Sequence, residues 1–306
     1  MRRGLAALDE TTDVIRELSR WFDKKITDDD PVPNPIPLRE HDYAQAPNSV
    51  SKVERVGSSE NQRSGSIDLE DLSSELADGG KPEETQEMDI AIAAACRKHA
   101  REVVVTIAGL AVTRNDFVTL RGTTWLNDKI VDAYLSLIAK RSREDSILPK
   151  VYAFSLFHFQ CYAAQGYDDV RSWTKSVDLF SYDILLVPVN ENHHWCMTVV
   201  DLRLQQITYY DSLFNRNDIF LEMVQHYLQD EMMDKKNRRL NTEEWLLMHS
   251  ENHPRQLNCN DCGVFALKFA DYASQDLELY FSQEDMPYFR RRMMFEILRA
   301  SLLPMA

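Results

Sequence analysis

The second half of this 306-residue chain carries a cysteine, a histidine and an aspartate, the residue types that a nucleophilic hydrolase needs. Cys262 stands in NDCGVFALKFADYA, where a helical pattern of apolar residues begins. A thiol at a helix N-terminus meets the positive end of the helix dipole, which favours the nucleophilic thiolate. For a cysteine considered alone, the alternative is a buried and unreactive thiol.

The histidine and the aspartate lie on two neighbouring strand-like segments. WCMTVVDL and QITYYDS flank a short polar stretch and predict an antiparallel hairpin with its turn near Leu202–Arg203. In that register His194 lies opposite Asp211. A carboxylate partner fixes the tautomer of a general-base histidine and stabilises its charged form. The alternative is that Asp211 only caps the following turn.

Two further residues near the cysteine complete a possible site. Gln256, in the polar loop before Cys262, is predicted to donate an amide hydrogen bond to an oxyanion. Gly263 has no Cβ and is predicted to let a substrate backbone approach closely. Together with His194 and Asp211, these residues favour a cysteine hydrolase over an isolated structural thiol.

The same loop supports a competing hypothesis. His249, His253, Cys259 and Cys262 follow the spacing H-x3-H-x5-C-x2-C, which uses the ligand types of a structural zinc site. This pattern predicts a zinc-stabilised interaction module. It leaves His194 and Asp211 without a role, so we treat it as the minor alternative and expect neither metal nor cofactor.

Helical and strand patterns are mixed along the chain without regular alternation, which predicts an α+β fold. Helices are predicted over residues 88–100, 126–141, 218–232, 262–273 and 284–303, with a further short helix after the Thr113 cap. Strands are predicted over residues 103–112 (a pair or one interrupted strand), 151–157, 183–189, 195–202, 206–212 and 245–250.

The composition divides the chain near residue 86. Residues 1–86 hold 11 Lys and Arg against 19 Asp and Glu, with three aromatic residues. Such a segment buries too little apolar surface to offset its ordering entropy, so we expect a mostly disordered acidic region. A short helix over residues 9–25 and the apolar-acidic motif IDLEDL (67–72) are predicted within it. Residues 87–306 are predicted to form the catalytic domain.

The overall composition excludes several classes of function. A net charge of −14 and a pI near 5.0 argue against a protein that binds nucleic acid through phosphate contacts. Five scattered cysteines do not form a disulfide framework, and no apolar run reaches the length of a membrane span. We therefore expect an intracellular monomer that binds neither nucleic acid nor membrane.

Two long segments resemble the core of the SUMO-specific (sentrin-specific) proteases of the ubiquitin-like protease family. They are HHWCMTVVDLRLQQITYYDS and PRQLNCNDCGVFALKFADYAS. LRGTTWLNDKIVDAYLSLI is similar to the family's N-terminal Trp-Leu-Asn-Asp helix, and the resemblance covers roughly residues 90–303. It implies a papain-like α+β fold with a central mixed sheet flanked by helices.

The resemblance also implies an activity. His194, Asp211 and Cys262 match the family's catalytic triad, and Gln256 matches its oxyanion-hole glutamine. The implied reaction is cleavage after the C-terminal Gly-Gly of SUMO, which removes SUMO from target lysines and matures SUMO precursors. The implied partners are SUMO and SUMO-conjugated proteins, at the nucleus, the nuclear periphery or in the cytoplasm.

Three other residues are assigned to substrate binding by the resemblance. Trp125 and Trp195 match two tryptophans that flank a channel, which admits only a glycine tail because a side chain does not fit between two rings. Asp128 matches a carboxylate that pairs with a basic residue on the modifier.

The chain departs from the family pattern in two places. Cys259 replaces the usual glycine beside the nucleophile, and FSLFHFQCYAAQGYDDV differs from the usual aromatic stretch that contacts the modifier. Two alternatives therefore stay open besides zinc: a protease for a different ubiquitin-like modifier, and an inactive binding domain.

Overall fold

A five-stranded mixed sheet runs through the centre of the region that the structure, a computed structural model, describes, residues 86–304. The strands are β1 (Val103–Ile107), β2 (Leu110–Thr113), β3 (Val151–Ala153), β4 (Ile184–Glu191), β5 (His194–Asp201), β6 (Gln206–Tyr210) and β7 (Leu246–His249). The central sheet has the order β3-β4-β5-β6-β7. Its middle three strands are antiparallel, and the two outer strands run parallel to their neighbours.

Helices flank this sheet. They are α1 (Gln86–Cys96), α2 (Arg114–Phe117), α3 (Asp128–Glu144), α4 (Leu156–Gln165), α5 (Tyr167–Val170), α6 (Asp218–Lys236), α7 (Cys262–Ala273) and α8 (Met286–Arg299). Short 3-10 turns cover Val118–Leu120, Leu179–Ser181, Thr242–Glu244 and Gln283–Asp285. The mixed sheet with flanking helices confirms the predicted α+β class.

The side chains of β5 alternate between two hydrophobic clusters on opposite faces of the sheet. Trp195, Met197 and Val199 pack with residues of α3, α7 and α8, whereas Cys196 and Val200 pack with residues of α4 and α6. This alternation follows from the two-residue period of a strand. The helix α7, which begins at Cys262, therefore belongs to the first cluster.

Local capping explains where two helices begin. Thr113 and Asp116 form a reciprocal capping box at α2, as the sequence predicts for Thr113. The Asn127 side chain accepts a hydrogen bond from the Ile130 amide at the start of α3. The two caps are joined, because Asn127 Nδ2 donates to Asp116 Oδ1 at 2.9 Å, and Asn127 lies two residues after Trp125.

One strand prediction is wrong in its extent. The sequence predicts a strand over residues 151–157, but β3 ends at Ala153. The Ser155 side chain accepts a hydrogen bond from the Phe157 amide and starts α4. A serine cap therefore outweighs the strand-like run of apolar residues that follows it.

Several predictions fall on residues that the structure does not describe. The helix over residues 9–25 and the IDLEDL motif lie outside the described region, and the division at residue 86 stays a prediction. No helix within residues 86–304 combines the length and the apolar character that crossing a bilayer requires.

Candidate active site

A tight turn places His194 at the first position of β5. Glu191 pairs with His194, so the β4–β5 hairpin has the two-residue loop Asn192–His193. Both loop residues have positive φ, 50° and 64°. Two-residue hairpins prefer such turns because their twist matches that of the strands, and asparagine tolerates this conformation.

His194 and Asp211 form a direct hydrogen bond. His194 Nε2 lies 2.6 Å from Asp211 Oδ1. The predicted register is nevertheless wrong, because Asp201 pairs with Gln206 and the strands are shifted by two residues from the prediction. The two side chains still meet because a shift of two residues leaves every side chain on the same face of the sheet.

Asp211 also serves the turn that follows it. Its Oδ1 accepts a hydrogen bond from the Leu213 amide at 2.8 Å, so the turn-capping alternative and the partnership with His194 both hold. Burial of Asp211 works against its charged form, but the hydrogen bonds from His194 and Leu213 outweigh it and lower the pKa of this carboxyl. Asp211 is therefore held as a carboxylate.

The imidazole of His194 lies between this carboxylate and two thiols. Burial opposes its protonation, but hydrogen bonding with Asp211, Cys196 and Cys262 prevails and raises the pKa of His194 to about 12. Asp211 contributes more than either thiol to this rise. The arrangement thus stabilises an imidazolium next to Cys262.

Cys262 is the first residue of α7, as the sequence predicts, and its side chain is 3% exposed. Asp261 occupies the N-cap position, yet no side chain in the described region caps this helix. The first helical bond runs from the Phe265 amide to the Asp261 carbonyl. The amides of the first turn therefore lack the side-chain acceptor that most helices provide.

Gln256 is buried in the loop that leads to Cys262. Its Oε1 accepts a hydrogen bond from the Ser212 hydroxyl at 2.7 Å, which ties it to the residue after Asp211. Its Nε2 donates to the Asn258 carbonyl at 2.7 Å and lies 3.3 Å from Asn258 Oδ1. The amide is therefore rigidly oriented beside the proposed nucleophile's loop.

The two tryptophans differ in their surroundings. Trp125 is 44% exposed, and its indole N–H donates to the Cys259 carbonyl at 2.8 Å. Trp195 is 3% exposed, and its indole N–H donates to the Leu126 carbonyl at 2.9 Å. The ring stacked on Trp125 is that of His193, with centroids 5.7 Å apart and an interplanar angle of 22°.

Gly263 is packed against the protein rather than open to a substrate. A Cβ at this position would lie 3.0 Å from the side chain of Leu126. The glycine therefore allows α7 to approach the segment before α3. The predicted contact of Gly263 with a substrate backbone stays a prediction. Asp128, in the first turn of α3, is exposed.

The structure does not assemble the zinc ligands. His249 Nε2 accepts a hydrogen bond from the Asn217 amide, and the His253 ring stacks on Phe214 with centroids 4.2 Å apart. Within the described residues, the one group with at least three ligand atoms within 4.8 Å of one another is His194, Cys196 and Asp211. The spacing H-x3-H-x5-C-x2-C therefore does not correspond to a site.

Sequence reasoning missed three neighbours of the site. His193 is marked only by its place in a two-residue turn, and Asn258 only by the turn-forming character of Asn-Cys-Asn-Asp. Cys196 lies two residues beyond His194 and therefore on the same face of β5. Burial raises the pKa of the Cys196 thiol to about 11, which keeps it neutral beside the imidazole.

Comparison with known proteins places this geometry in a family. The family described as Ulp1 protease family, C-terminal catalytic domain, matches residues 124–303. A sentrin-specific protease of Caenorhabditis elegans is 42% identical over 202 residues, 66% of this chain and 29% of that protein. Sentrin-specific protease 2 of Mus musculus is 39% identical over 204 residues, again 66% of this chain and 34% of that protein. The chain thus spans about a third of the length of these curated relatives.

A solved structure shares the fold. It is the C-terminal Ulp1 protease domain in complex with Smt3, the yeast ortholog of SUMO. The TM-score is 0.63 at 28% sequence identity, covering 72% of this chain and 97% of that domain. The family match covers more than half of the chain and includes the His194–Asp211 pair and the Cys262 helix, so this chain belongs to the Ulp1 protease family.

Proposed function

We propose that this protein is a cysteine protease that cleaves after the C-terminal Gly-Gly of SUMO, with Cys262 as nucleophile, His194 as general base and Asp211 as its orienting partner. The observation that carries the proposal is the 2.6 Å bond between His194 and Asp211 beside a thiol at a helix N-terminus. Such a protease releases SUMO from target lysines and processes SUMO precursors.

The reaction begins with an ion pair. Asp211 occupies His194 Nε2, so Nδ1 is the ring nitrogen left for the Cys262 proton. The raised pKa of His194 and the helix dipole at Cys262 both favour thiolate and imidazolium over the neutral pair. The thiolate attacks the carbonyl carbon of the modifier's last glycine and forms a tetrahedral oxyanion.

The oxyanion is stabilised by the loop and the helix. The Cys262 amide belongs to the uncapped first turn of α7, and Gln256 Nε2 has a second N–H whose contact with Asn258 Oδ1 is long. Both are pre-oriented donors for the developing charge. Collapse of the intermediate gives a thioester, and His194 returns its proton to the departing lysine amine. Water then attacks the thioester with His194 as base, and the modifier leaves with a free carboxylate.

A glycine tail suits the surface beside the nucleophile. The exposed Trp125 ring and the stacked His193 ring form a flat aromatic wall, and the Trp125 indole is anchored on Cys259, three residues before Cys262. A tail without side chains can lie flat along this wall. The buried Trp195 donates to the carbonyl of Leu126, the residue after Trp125, and so fixes the backbone that carries the wall.

The surface of α3 supplies a second contact. The exposed carboxylate of Asp128 pairs with a basic residue on the modifier. We further propose that the protein acts at the nucleus or nuclear periphery, as its resemblance to the SUMO-specific proteases implies. Imaging of the tagged full chain tests this location.

The first experiment uses SUMO and ubiquitin, each with a C-terminal electrophile that traps an active-site thiol. We expect a covalent adduct with SUMO alone, seen as a mass increase on the intact protein. The adduct should be lost in Cys262→Ala and kept in Cys259→Ser, the matched control for the neighbouring thiol. An adduct with ubiquitin and none with SUMO would mean that ubiquitin, and not SUMO, is the modifier that this protein cleaves. Adducts that persist in Cys262→Ala would remove Cys262 as the nucleophile.

A further inference from the structure

A buried arginine from the last helix contacts the two residues that precede the nucleophile. Arg290 of α8 is 3% exposed. Its Nε donates to Asp261 Oδ1 at 2.7 Å, and its Nη2 donates to the Asn260 carbonyl at 2.9 Å. Its Nη1 donates to the Thr119 carbonyl at 3.2 Å. One guanidinium thus holds the end of the loop at the position where α7 begins.

The Asp261 carboxylate is held on its other oxygen as well. Oδ2 accepts hydrogen bonds from Asn258 Nδ2 at 2.6 Å and from Gln283 Nε2 at 2.8 Å. Asp261 is itself 5% exposed. Three donors therefore fix the carboxylate, and all of them bind it away from the first turn of α7.

This arrangement is unusual for an aspartate at an N-cap position. Aspartate is among the preferred N-cap residues because its carboxylate accepts hydrogen bonds from first-turn amides. Asp261 makes no such bond. The first-turn amides of α7 directly follow Asp261 in the chain, and Asp261 does not cap them.

Capping by Asp261 would oppose the proposed reaction in two ways. A carboxylate at the N-terminus of α7 would place negative charge beside Cys262 and offset the helix dipole, which disfavours the thiolate. It would also occupy amides that the oxyanion needs. The position of the Asp261 carboxylate therefore affects both the charge beside Cys262 and the availability of the first-turn amides.

We propose that Arg290 is a positioning residue that holds the Asp261 carboxylate off the N-terminus of α7 and so keeps Cys262 reactive and the first-turn amides available. The inference rests on the proposed role of Cys262 as nucleophile. Arg290 touches neither substrate nor reacting atoms, and it acts through Asp261.

The same network reaches the proposed oxyanion donor. Asn258 Oδ1 accepts from the amides of Asn260 and Asp261, and the Asn258 carbonyl accepts from Gln256 Nε2. Arg290 is therefore linked to Gln256 through Asp261 and Asn258. Loss of Arg290 is expected to lower kcat with little change in KM, because the modifier surface is bound elsewhere.

The test measures alkylation of Cys262 by iodoacetamide at neutral pH, followed by mass spectrometry of the peptide in a Cys259→Ser background. Arg290→Met should lower the rate about ten-fold, the order expected when a carboxylate offsets a helix N-terminus. Adding Asp261→Asn should restore most of the rate, because the amide is isosteric with the carboxylate and carries no charge. Arg299→Gln, at the exposed end of the same helix, is the control and should leave the rate unchanged.

Two outcomes would overturn the proposal. An unchanged alkylation rate in Arg290→Met would mean that Asp261 stays in place without its partner. A rate that remains low in the double variant would mean that the lost positive charge, and not the freed carboxylate, reduces reactivity. If Arg290→Met does not fold, Gln283→Ala removes a partly exposed donor to the same carboxylate. It should then lower the rate two- to three-fold, and no decrease would reject the proposal.

Alkylation separates this inference from the proposed function. Iodoacetamide needs no modifier, so a wrong assignment of SUMO leaves the expected pattern of rates intact. A Cys262 thiol that reacts no faster than free cysteine in the unsubstituted protein would instead contradict the proposed nucleophile.

Discussion

The two halves of the proposed site are held by different forces. His194 is the first residue of β5 and Asp211 directly follows β6, and the antiparallel ladder between these two strands holds the pair at one end of the sheet. Gln256 and Cys262 bound a segment of irregular backbone whose shape depends on side chains, above all those of Asn258 and Asp261. We call these the sheet half and the loop half.

The comparison teaches where the site is vulnerable. In the sheet half, neighbouring side chains can change without moving the backbone ladder. In the loop half, the buried polar side chains make the hydrogen bonds that hold the backbone. Loss of one of them leaves a buried polar partner without a hydrogen bond, which costs about 1–3 kcal/mol of stability. Substitutions around the nucleophile should therefore affect catalysis more widely than substitutions around the base.

The largest effect is expected from removing the charge of Asp211 in the sheet half. Asp211→Asn should lower kcat/KM by about 10³-fold, because the amide neither stabilises the imidazolium nor selects its tautomer. The pH profile should change as well. Asp211 is the main cause that raises the pKa of His194 to about 12, and burial alone lowers it. In Asp211→Asn the imidazolium therefore loses its proton at a lower pH, and the alkaline limb of the activity profile shifts to lower pH.

Stopped-flow cleavage of a SUMO-linked reporter between pH 5 and 10 checks this prediction. The backbone of the sheet half should be unaffected, so thermal unfolding of Asp211→Asn serves as the control. If Asp211→Asn shows no alkaline fall in activity between pH 5 and 10, Asp211 does not govern the titration of His194.

A smaller effect is expected from the loop half at Gln256. Gln256→Ala removes one proposed oxyanion donor, which is typically worth about 10²-fold in kcat. KM should change little, because the amide is proposed to bind the oxyanion and not the substrate before it reacts. Gln225→Ala is a matched control. Gln225 lies on α6, outside the site, and donates to the Thr242 carbonyl. Equal losses in kcat for both variants would remove Gln256 from the oxyanion hole.

The smallest effect is expected where α7 meets the segment before α3. In Gly263→Ala the new Cβ would lie 3.0 Å from the Leu126 side chain. The overpacking cost of roughly 1–3 kcal/mol exceeds the gain of at most about 1 kcal/mol from alanine over glycine in a helix. We therefore expect a loss of about 1 kcal/mol in the free energy of unfolding.

Denaturant unfolding of a double-mutant cycle with Leu126→Ala checks this contact. Alanine lacks the Cγ and Cδ1 of Leu126, two of the three atoms that would lie 3.0 Å from the new Cβ. The two substitutions together should therefore cost less than the sum of their separate effects. Strict additivity would mean that Gly263 is required for another reason.

The sequence predicts the sheet half better than the loop half, for a physical reason. Strand alternation in WCMTVVDL and QITYYDS is local, and it was enough to bring His194 and Asp211 onto one face. The predicted register is wrong by two residues, because the turn spans residues 202–205 and its centre lies one residue later in the chain than predicted. The error does not change which side chains meet, because a shift of two residues keeps each side chain on the same face of the sheet.

The loop half depends on contacts that have no local pattern. Trp125 reaches the Cys259 carbonyl across 134 residues of chain, and Gln256 is held by Ser212, 44 residues away. The helix start at Cys262 was predictable from apolar periodicity. The absence of a cap there was not, because Asp261 reads as an ordinary N-cap residue in the sequence.

The second thiol in the loop has a consequence for covalent ligands. Cys259 is exposed, while Cys262 is buried three residues further on. An electrophile bound against the Trp125 ring therefore has the exposed Cys259 thiol within the same loop as Cys262, the proposed nucleophile. In the family pattern that this chain resembles, the position of Cys259 is a glycine. A compound built to react with Cys259 would thus discriminate this protein from relatives that carry the glycine.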